Sequence, residues 1–250
     1  MAVLPVERRI HADSESLYRA AVDALLDCAQ RAIAERGVFR IALSGGGTPQ
    51  RLYELLATPA YHDKLDWSHT HVFFGDERCV PPDQERSNFR MASDALLDKV
   101  SLPVANVHRM HGEDDPLLAA HAYALQLRRE FHTTQMPRFD LILLGLGDNG
   151  HTASLFPGGA CLQARVATVC AQYVESQGEW RLTLTIPTIN AARAIWVLAI
   201  GASKAPVVEQ VLEGVFRPDV LPMQYIAPTQ AEFVWWLDTA AAAQLGGSTR

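Results

Sequence analysis

Short apolar runs alternate with helical segments along the whole chain, and this alternation restricts the fold more than any other feature. Phe139 to Leu144 is almost continuously apolar, as in a strand buried on both faces of a parallel sheet, and Ala194 to Ile200 has the same character. Between such runs, apolar residues recur at helical spacing, as from Leu17 to Ala32. Strands alternating with helices indicate an α/β fold. We therefore predict a predominantly parallel sheet with helices on both faces, a Rossmann-like arrangement.

Capping and turn residues mark the ends of several predicted elements. Asp13 is expected to cap the first helix, which would begin the fold, and Gly37 to end it. Arg181 to Ile186 alternates polar and apolar residues, which predicts a strand with one side facing solvent. Asp238 is expected to cap a short alanine-rich helix near the end of the chain.

Composition and charge exclude several classes of protein. The 250 residues are 48% hydrophobic and 20% charged, which excludes disordered and low-complexity chains. No repeat and no linker divides the sequence, so residues 1–250 are expected to form a single domain. The net charge of −6 argues against nucleic-acid and anionic membrane partners. No obligate protein partner is evident, and an anionic small molecule would need a local positive site.

The cysteines and the beginning of the chain favour a cytoplasmic protein. No CxxC pair and no Cys/His spacing typical of zinc is present, so we expect reduced thiols and no metal site. Met1 to Val6 is too short an apolar stretch for a signal peptide, and charged residues follow it. Ala194 to Ala202 is shorter than the roughly 18 residues that a membrane span requires. The chain has four cysteines, which are Cys28, Cys79, Cys161 and Cys170.

Ligands of open α/β sheets bind at the carboxyl ends of the strands, and this rule selects the loops after Leu43, Phe74, Leu144 and Ile200. The first loop is Ser44-Gly45-Gly46-Gly47-Thr48, between a predicted strand and a predicted helix. Its glycines let the backbone approach a ligand, and the N–H groups at a helix start favour an anion. The segment is therefore either a phosphate or oxyanion cradle or an ordinary tight turn.

Charged side chains follow two other predicted strands. Asp76 and Arg78 come directly after an apolar run, and they form either a surface charge cluster or part of a site. Arginine is suited to holding a phosphate or an oxyanion by paired hydrogen bonds. Lys204 lies near a helix N-terminus, where a cation is unfavourable unless a bound anion compensates it. Arg181 is a further candidate cation, although a surface arginine is the commoner case.

The segment from Gly145 to Thr152 supports two interpretations. Its glycines match the dinucleotide pattern GxGxxG, but no acidic strand end follows about 20 residues later, and Pro157-Gly158-Gly159 interrupts the helix that the pattern needs. His151 is the stronger signal, because a titratable side chain in a loop at a strand end is a candidate general base. With no HExxH, EF-hand or G-x-S-x-G pattern present, the residues favour metal-free acid/base chemistry on a small phosphorylated metabolite.

Taken in order, these segments resemble the glucosamine-6-phosphate isomerase/6-phosphogluconolactonase family over nearly the whole chain. Several ordered motifs carry the resemblance, and together they are far more specific than any one of them. They are Ser-Gly-Gly-Gly-Thr-Pro at 44–49, Gly-Asp-Glu-Arg at 75–78 with Val80-Pro81, Ser87-Asn88, the segment 150–157, Arg181 before 183–185, Gly201 to Lys204, and Trp236-Leu237-Asp238.

The resemblance implies hydrolysis of 6-phospho-D-glucono-1,5-lactone to 6-phosphogluconate in the oxidative pentose phosphate pathway, without a metal or organic cofactor. It implies that His151 is the general base that activates water, and that Arg78 stabilises the oxyanion or holds the substrate. Asp76 would orient His151 or a sugar hydroxyl. The residues implied to bind the substrate and its phosphate are Ser44, Gly45, Gly46, Gly47, Thr48, Asn88, Arg181 and Lys204.

The sequence departs from the family pattern at Asn149, where the family commonly has aspartate. The isomerase branch is implied to use that carboxylate to move a proton between carbon atoms, and a neutral amide cannot do so. The departure therefore favours the lactonase branch. Two alternatives remain, an isomerase/deaminase-like enzyme and a non-catalytic sugar-phosphate sensor. The sequence leaves open whether Asp76 or Asp148 assists His151.

Overall fold

A seven-stranded sheet forms the centre of the computed structural model, which describes residues 6–246. Every neighbouring pair of its strands is parallel, as predicted. The residues Met1 to Pro5, which belong to the stretch judged too short for a signal peptide, lie outside the described residues, as do residues 247–250. In spatial order the strands are β1 (Glu7–His11), β10 (Glu232–Asp238), β9 (Ala194–Ala199), β6 (Leu141–Gly145), β2 (Phe39–Leu43), β3 (Thr70–Phe74) and β5 (Val107–His108).

Helices cover both faces of this sheet, which confirms the predicted α/β architecture. Leu25 and Tyr53, from the first two helices, line one internal cavity together with Val72 of β3. Successive strand residues point to opposite faces, so Phe73 points away from them, and its ring packs against Phe131 at a centroid distance of 5.4 Å. The helices are α1 (Ser14–Arg36), α2 (Gly47–Leu56), α3 (Asn88–Ala95), α4 (Pro116–Glu130), α5 (Ile186–Asn190) and α6 (Ala205–Leu212).

The ends of α1 follow from its sequence. Asp13 accepts a hydrogen bond from the backbone N–H of Ser16, whose hydroxyl accepts one from the N–H of Asp13 in return. At the other end Gly37 takes a left-handed conformation with φ of 71°, which glycine adopts without steric cost. Both predicted ends of this helix are confirmed.

A second, antiparallel sheet lies beside the first and contains β4 (Asp76–Arg78), β8 (Glu179–Leu184) and β7 (Val169–Val174). The prediction of a strand around 181–186 is correct, but the prediction that one of its sides faces solvent is wrong. Arg181 and Thr183 are both buried. The loop that follows β6 covers the polar side, and the backbone N–H of Ser154 in that loop donates to the Thr183 hydroxyl at 3.3 Å.

The two ends of the described chain differ from the sequence-based expectation. A strand, β1, precedes residue 13 and pairs with β10, where Arg9 lies over the Trp236 ring at 4.8 Å. No helix follows Asp238 within the described residues, which form only turns from 239 to 244. The Asp238 carboxylate instead accepts hydrogen bonds from the N–H groups of Gly201 and Ala241, so it joins two segments rather than capping a helix.

The expectation of four reduced thiols is wrong for one pair. Cys161 and Cys170 form a disulfide, with their Cα atoms 5.8 Å apart, while Cys28 and Cys79 are free. The pairing arises because β7 runs beside the short helical turn 160–163. No sequence motif predicts that these two segments are close. Within residues 6–246, no helix has both the length and the apolar character needed to cross a membrane.

Candidate active site

The loops after four neighbouring strands bring most of the predicted site residues to one place, and β8 of the smaller sheet adds Arg181. β9, β6, β2 and β3 are adjacent in the sheet and parallel, so the loops at their carboxyl ends meet above one edge. A cleft of about 240 Å³ opens there. All of the predicted catalytic and substrate-binding residues line it, namely Ser44, Gly45, Gly46, Gly47, Thr48, Asp76, Arg78, Asn88, His151, Arg181 and Lys204.

The glycine loop after β2 leads directly into helix α2. Gly46 precedes the helix with φ of 97°, a conformation that residues with side chains rarely adopt. Tyr53 from the next turns holds the loop, since its hydroxyl accepts from the N–H of Ser44 at 3.0 Å and donates to the Ser44 carbonyl at 2.9 Å. The loop is therefore a fixed backbone surface at a helix N-terminus, where an anion is favoured.

Asp76 and Asn88 form a buried polar pair beside this loop. The Asp76 carboxylate accepts a hydrogen bond from the Ser154 hydroxyl at 2.7 Å and one from the Asn88 amide at 3.2 Å. The resemblance predicts that Asp76 orients His151 or a sugar hydroxyl. Among the described residues, no hydrogen bond joins Asp76 to His151. At Gly45, a side chain would start 1.9 Å from the Asn88 Oδ1 atom, so glycine is required for this close approach.

Glu77 stabilises the segments that carry Asp76 and Asn88. It is 2% exposed, and its carboxylate accepts hydrogen bonds from the N–H groups of Arg78, Asn88 and Phe89. Burial raises the pKa of Glu77, an effect that these three hydrogen bonds oppose. Glu77 therefore ties β4 to the start of α3 and holds Asn88 in the cleft.

Arg78 and Arg181 lie opposite each other on the paired strands β4 and β8. Arg78 donates to the carbonyl of Arg86 at 2.6 Å, and Arg181 contacts Gln177 and Glu179. The Nε atom of each guanidinium is buried without a hydrogen-bond partner among the described residues. Burial and the neighbouring Arg78 charge lower the pKa of Arg181 to about 10, so the Arg181 guanidinium is still charged at neutral pH. Two cations with unused donors make the cleft suited to an anion.

His151 has a defined orientation. Its ring stacks on Phe156 with centroids 4.2 Å apart, and its Nδ1 atom lies 2.5 Å from the Asn149 Oδ1 atom. Burial is the largest cause that lowers the pKa of His151 to about 4; the Asp76 charge opposes this shift, and the charges of Arg181 and Lys204 contribute to it. His151 is therefore a neutral imidazole at pH 7 in the free protein.

The GxGxxG pattern is explained by this loop rather than by a dinucleotide. A side chain at Gly147 would start 2.0 Å from the His151 ring, so glycine makes room for the imidazole. Gly150 has φ of 76° and lies against Leu221, where a side chain would start 2.6 Å from that residue. The glycines shape the turn that presents His151.

Lys204 and Asp148 form an ion pair, with Nζ and Oδ1 2.6 Å apart. Lys204 lies directly before α6, a position for which the sequence predicts compensation by a bound anion, but in this structure the carboxylate of Asp148 supplies the compensating charge. The same contact lowers the pKa of Asp148. The side chain that contacts the His151 Nδ1 atom is therefore the amide of Asn149, while Asp148 contacts Lys204.

Sequence reasoning missed the residues that support this loop. The Gln172 side chain of β7 donates to the Ser154 carbonyl at 2.6 Å and accepts from the Cys161 N–H at 3.1 Å. Ser154 in turn donates to Asp76. Ser154 belongs to one of the motifs named above. Gln172 lies in β7, a strand that was not predicted from the sequence, and only the pairing of β7 with β8 brings Gln172 to the site.

Comparison with known proteins identifies the family. A family model described as glucosamine-6-phosphate isomerases/6-phosphogluconolactonase matches residues 12–235. A 6-phosphogluconolactonase from Nostoc is 40% identical over 236 residues, which cover 93% of this chain and 95% of the relative. One from Synechocystis is 47% identical over 223 residues, which cover 86% and 88%.

Solved structures agree with this result. The 6-phosphogluconolactonase from Trypanosoma brucei is 28% identical with a TM-score of 0.86, and the match covers 98% of this chain and 100% of that one. A structure described as devB protein is 33% identical with a TM-score of 0.87, at 97% and 100% coverage. A monomeric glucosamine-6-phosphate deaminase, 22% identical with a TM-score of 0.76, shares the fold. This chain therefore belongs to the glucosamine-6-phosphate isomerase/6-phosphogluconolactonase family.

Proposed function

We propose that this chain hydrolyses 6-phospho-D-glucono-1,5-lactone to 6-phosphogluconate, the lactonase step of the oxidative pentose phosphate pathway. The observation that carries the proposal is the contact of the His151 Nδ1 atom with the amide oxygen of Asn149 in the cleft. An amide oxygen only accepts hydrogen bonds, so Nδ1 bears the hydrogen and Nε2 keeps a lone pair. His151 is thereby prepared to accept a proton at Nε2.

In the proposed reaction, the His151 Nε2 atom takes a proton from a water molecule whose oxygen bonds to the lactone carbonyl carbon. The carbonyl electron pair moves to its oxygen and forms a tetrahedral oxyanion. When the carbonyl re-forms, the bond to the ring oxygen breaks, and protonated His151 returns its proton to that oxygen. One water is consumed, and the reaction needs no other reactant.

Two groups of donors support charge in this scheme. Arg78 and Arg181 each have an unused buried Nε–H, and we assign the oxyanion to this pair. The loop from Ser44 to Thr48 and Lys204 line the same cleft and are assigned to the phosphate. A bound phosphate would also offset the charge of Lys204, which contributes to lowering the pKa of His151. Substrate binding would therefore raise that pKa toward the working pH and make His151 a stronger base.

The test is acid release from freshly generated 6-phosphogluconolactone, corrected for spontaneous hydrolysis. The wild-type protein is expected to turn over the lactone, and His151→Ala is expected to lower kcat by about 10²–10⁴, the usual contribution of a positioned general base. A matched control is His69→Ala, which removes an exposed histidine paired with Asp66. That variant is expected to retain wild-type kcat.

Ammonia release from glucosamine 6-phosphate is measured beside the lactonase assay. No carboxylate stands at position 149 to move a proton between carbon atoms, so no ammonia is expected. Ammonia release without lactonase activity would reject the proposal in favour of a deaminase. Binding of 6-phosphogluconate without turnover of either substrate would instead indicate a sensor, and wild-type kcat in His151→Ala would remove His151 as the base.

A further inference from the structure

Two histidines and a glutamate form a cluster at the edge of the main sheet, apart from the residues that line the cleft. His71 belongs to β3, His108 to the edge strand β5, and Glu130 is the last residue of α4. His71 lies two residues before Phe73, and His108 pairs with Phe73, so both imidazoles lie on the same face of the sheet. The carboxylate of Glu130, at the C-terminal end of α4, lies beside both imidazoles.

The donor atoms of the cluster converge. The His71 Nδ1 and His108 Nε2 atoms are 3.0 Å apart, and the His108 Nε2 and Glu130 Oε2 atoms are 3.9 Å apart. All three donor atoms lie within 4.8 Å of one another. Two ligands of a tetrahedral zinc ion, each about 2.0–2.1 Å from the metal, are separated by roughly 3.3 Å. The His71–His108 spacing is slightly below that value and the His108–Glu130 spacing slightly above it, so small shifts of these side chains would bring the three atoms onto one ion.

Both imidazoles are neutral and therefore able to bind a metal. Burial lowers the pKa of His71 and lowers that of His108 to about 4, so protons do not compete at neutral pH. The Gln126 side-chain nitrogen, Nε2, lies 3.1 Å from the other ring nitrogen of His108, Nδ1. If the amide turns its oxygen to that nitrogen, it accepts the Nδ1–H and frees the Nε2 lone pair, as the partners of metal-bound histidines do.

The surrounding charges favour one class of ion. Glu130 is a carboxylate at the end of α4, where the helix dipole is negative and a cation is stabilised. Arg40 opposes a cation, because its charge acts on both histidines, but its guanidinium donates to the Glu130 carbonyl at 3.1 Å and lies over the Phe131 ring. An ion held by charge alone, such as Ca²⁺ or Mg²⁺, is disfavoured there, whereas imidazole ligation suits Zn²⁺.

We propose that His71, His108 and Glu130 form a binding site for a divalent transition-metal ion of the zinc type, with water completing the coordination. The three ligands come from separate elements, and no short motif marks them in the sequence. None of them lines the catalytic cleft, so this site is independent of the proposed lactonase.

The test is titration of the metal-stripped full chain with Zn²⁺ by calorimetry, and with Co²⁺ by its visible absorption. One ion is expected to bind per chain and to raise the unfolding temperature. His71→Ala and His108→Ala are each expected to abolish this binding, and Gln126→Ala to weaken it about 10–100-fold. Mg²⁺ and Ca²⁺ are expected to cause no change.

Two control variants distinguish this site from others. His69→Ala removes an exposed histidine that contacts Asp66 at 2.9 Å, and His151→Ala removes the histidine of the cleft. Both are expected to bind Zn²⁺ as the wild type does. Because His108 is buried and stacked on Phe73, its variant requires a check of folding, and Glu130→Gln, which keeps the size of a half-buried side chain, serves beside it. Unchanged Zn²⁺ affinity in both His71→Ala and Glu130→Gln would overturn the proposal.

Discussion

At the scale of single residues, the chemistry of the cleft depends on which atom contacts each ring nitrogen of His151. Asn149 places a neutral amide oxygen 2.5 Å from Nδ1, and burial keeps the imidazole uncharged. Only the unprotonated ring can act as a base, so the rate falls when the pH drops through the pKa of His151. That pKa is about 4 in the free protein, so kcat/KM is expected to stay level as the pH drops past 6.5, the ordinary histidine value, and to fall only near pH 4.

Asn149→Asp tests this dependence. A carboxylate beside Nδ1 stabilises the protonated ring, so the pKa of His151 rises and the acid limb of kcat/KM moves to higher pH. Lactonase activity at neutral pH should stay within about an order of magnitude, because the base itself is retained. Asp148→Asn is the matched control, since it removes a charge that raises the His151 pKa and should move the limb slightly the other way. An acid limb that stays in place in both variants would contradict the assignment.

Gly147→Ala tests whether the glycine exists to accommodate His151. The added methyl group would lie 2.0 Å from the imidazole ring, so the ring must leave its position on Phe156. We expect kcat to fall toward the value of the His151→Ala variant, by about 10²-fold or more, with the fold retained. In Gly145→Ala the new methyl group meets only the Ser44 hydroxyl at 3.8 Å, an ordinary contact. Equal activity in the two glycine variants would show that the close approach does not matter.

At the scale of elements, the smaller sheet holds the loop that carries His151. Strand β7 contacts this loop through Gln172. The disulfide between Cys161 and Cys170 links the same strand to the turn at which the loop ends. Asp76, at the start of β4, is bound to the loop through Ser154. The geometry of the cleft therefore depends on contacts from strands that contribute only part of its lining.

Replacing both Cys161 and Cys170 with serine should lower the free energy of unfolding by about 2–3 kcal/mol, because the bond closes a short loop and restricts the unfolded chain. Denaturant unfolding with and without a thiol reductant measures this. The wild type is expected to lose the same stability on reduction, and the double variant to be insensitive to the reductant. Cys79→Ser, which removes a free thiol, should leave the reductant effect intact. A wild type that is unaffected by reductant would contradict the prediction.

At the scale of the whole molecule, buried histidines make stability depend on pH. The pKa of His108 is about 4 in the folded protein against an ordinary value of 6.5. Between these values the unfolded chain binds a proton that the folded protein does not, so the free energy of unfolding falls as the pH is lowered through this window. Each such group contributes at most about 1.4 kcal/mol per pH unit.

His108→Gln should therefore reduce the slope of stability against pH between about 6.5 and 4, measured on the metal-free protein by denaturant unfolding. The slope should be reduced rather than abolished, because the pKa values of His71 and His151 are lowered too. His111→Gln changes a histidine whose side chain is 53% exposed and should leave the slope unaltered. An identical slope in wild type and His108→Gln would rule out this source of the pH dependence.

Much of the fold and the site was accessible from the sequence, because local patterns encode it. The apolar run Phe139 to Leu144 indicated a central strand, and β6 is the fourth strand of the seven. Asp13 and Gly37 marked the ends of α1. Glycine-rich and charged loops after four strands indicated a site, and the four strands lie side by side, so the loops meet in one cleft. Such features are local, and the strand-end rule brings them together.

Tertiary structure alone decided what each polar side chain contacts. Asn149 rather than Asp76 or Asp148 is the neighbour of His151, and a carboxylate rather than a bound anion compensates Lys204. Tertiary structure alone also decided the pairing of Cys161 with Cys170 and the contact of His71 with His108. Sequence determines which residues begin and end an element, because capping and periodicity act within a few residues. Contacts between elements depend on strand order and side-chain direction, which exist only once the chain has packed.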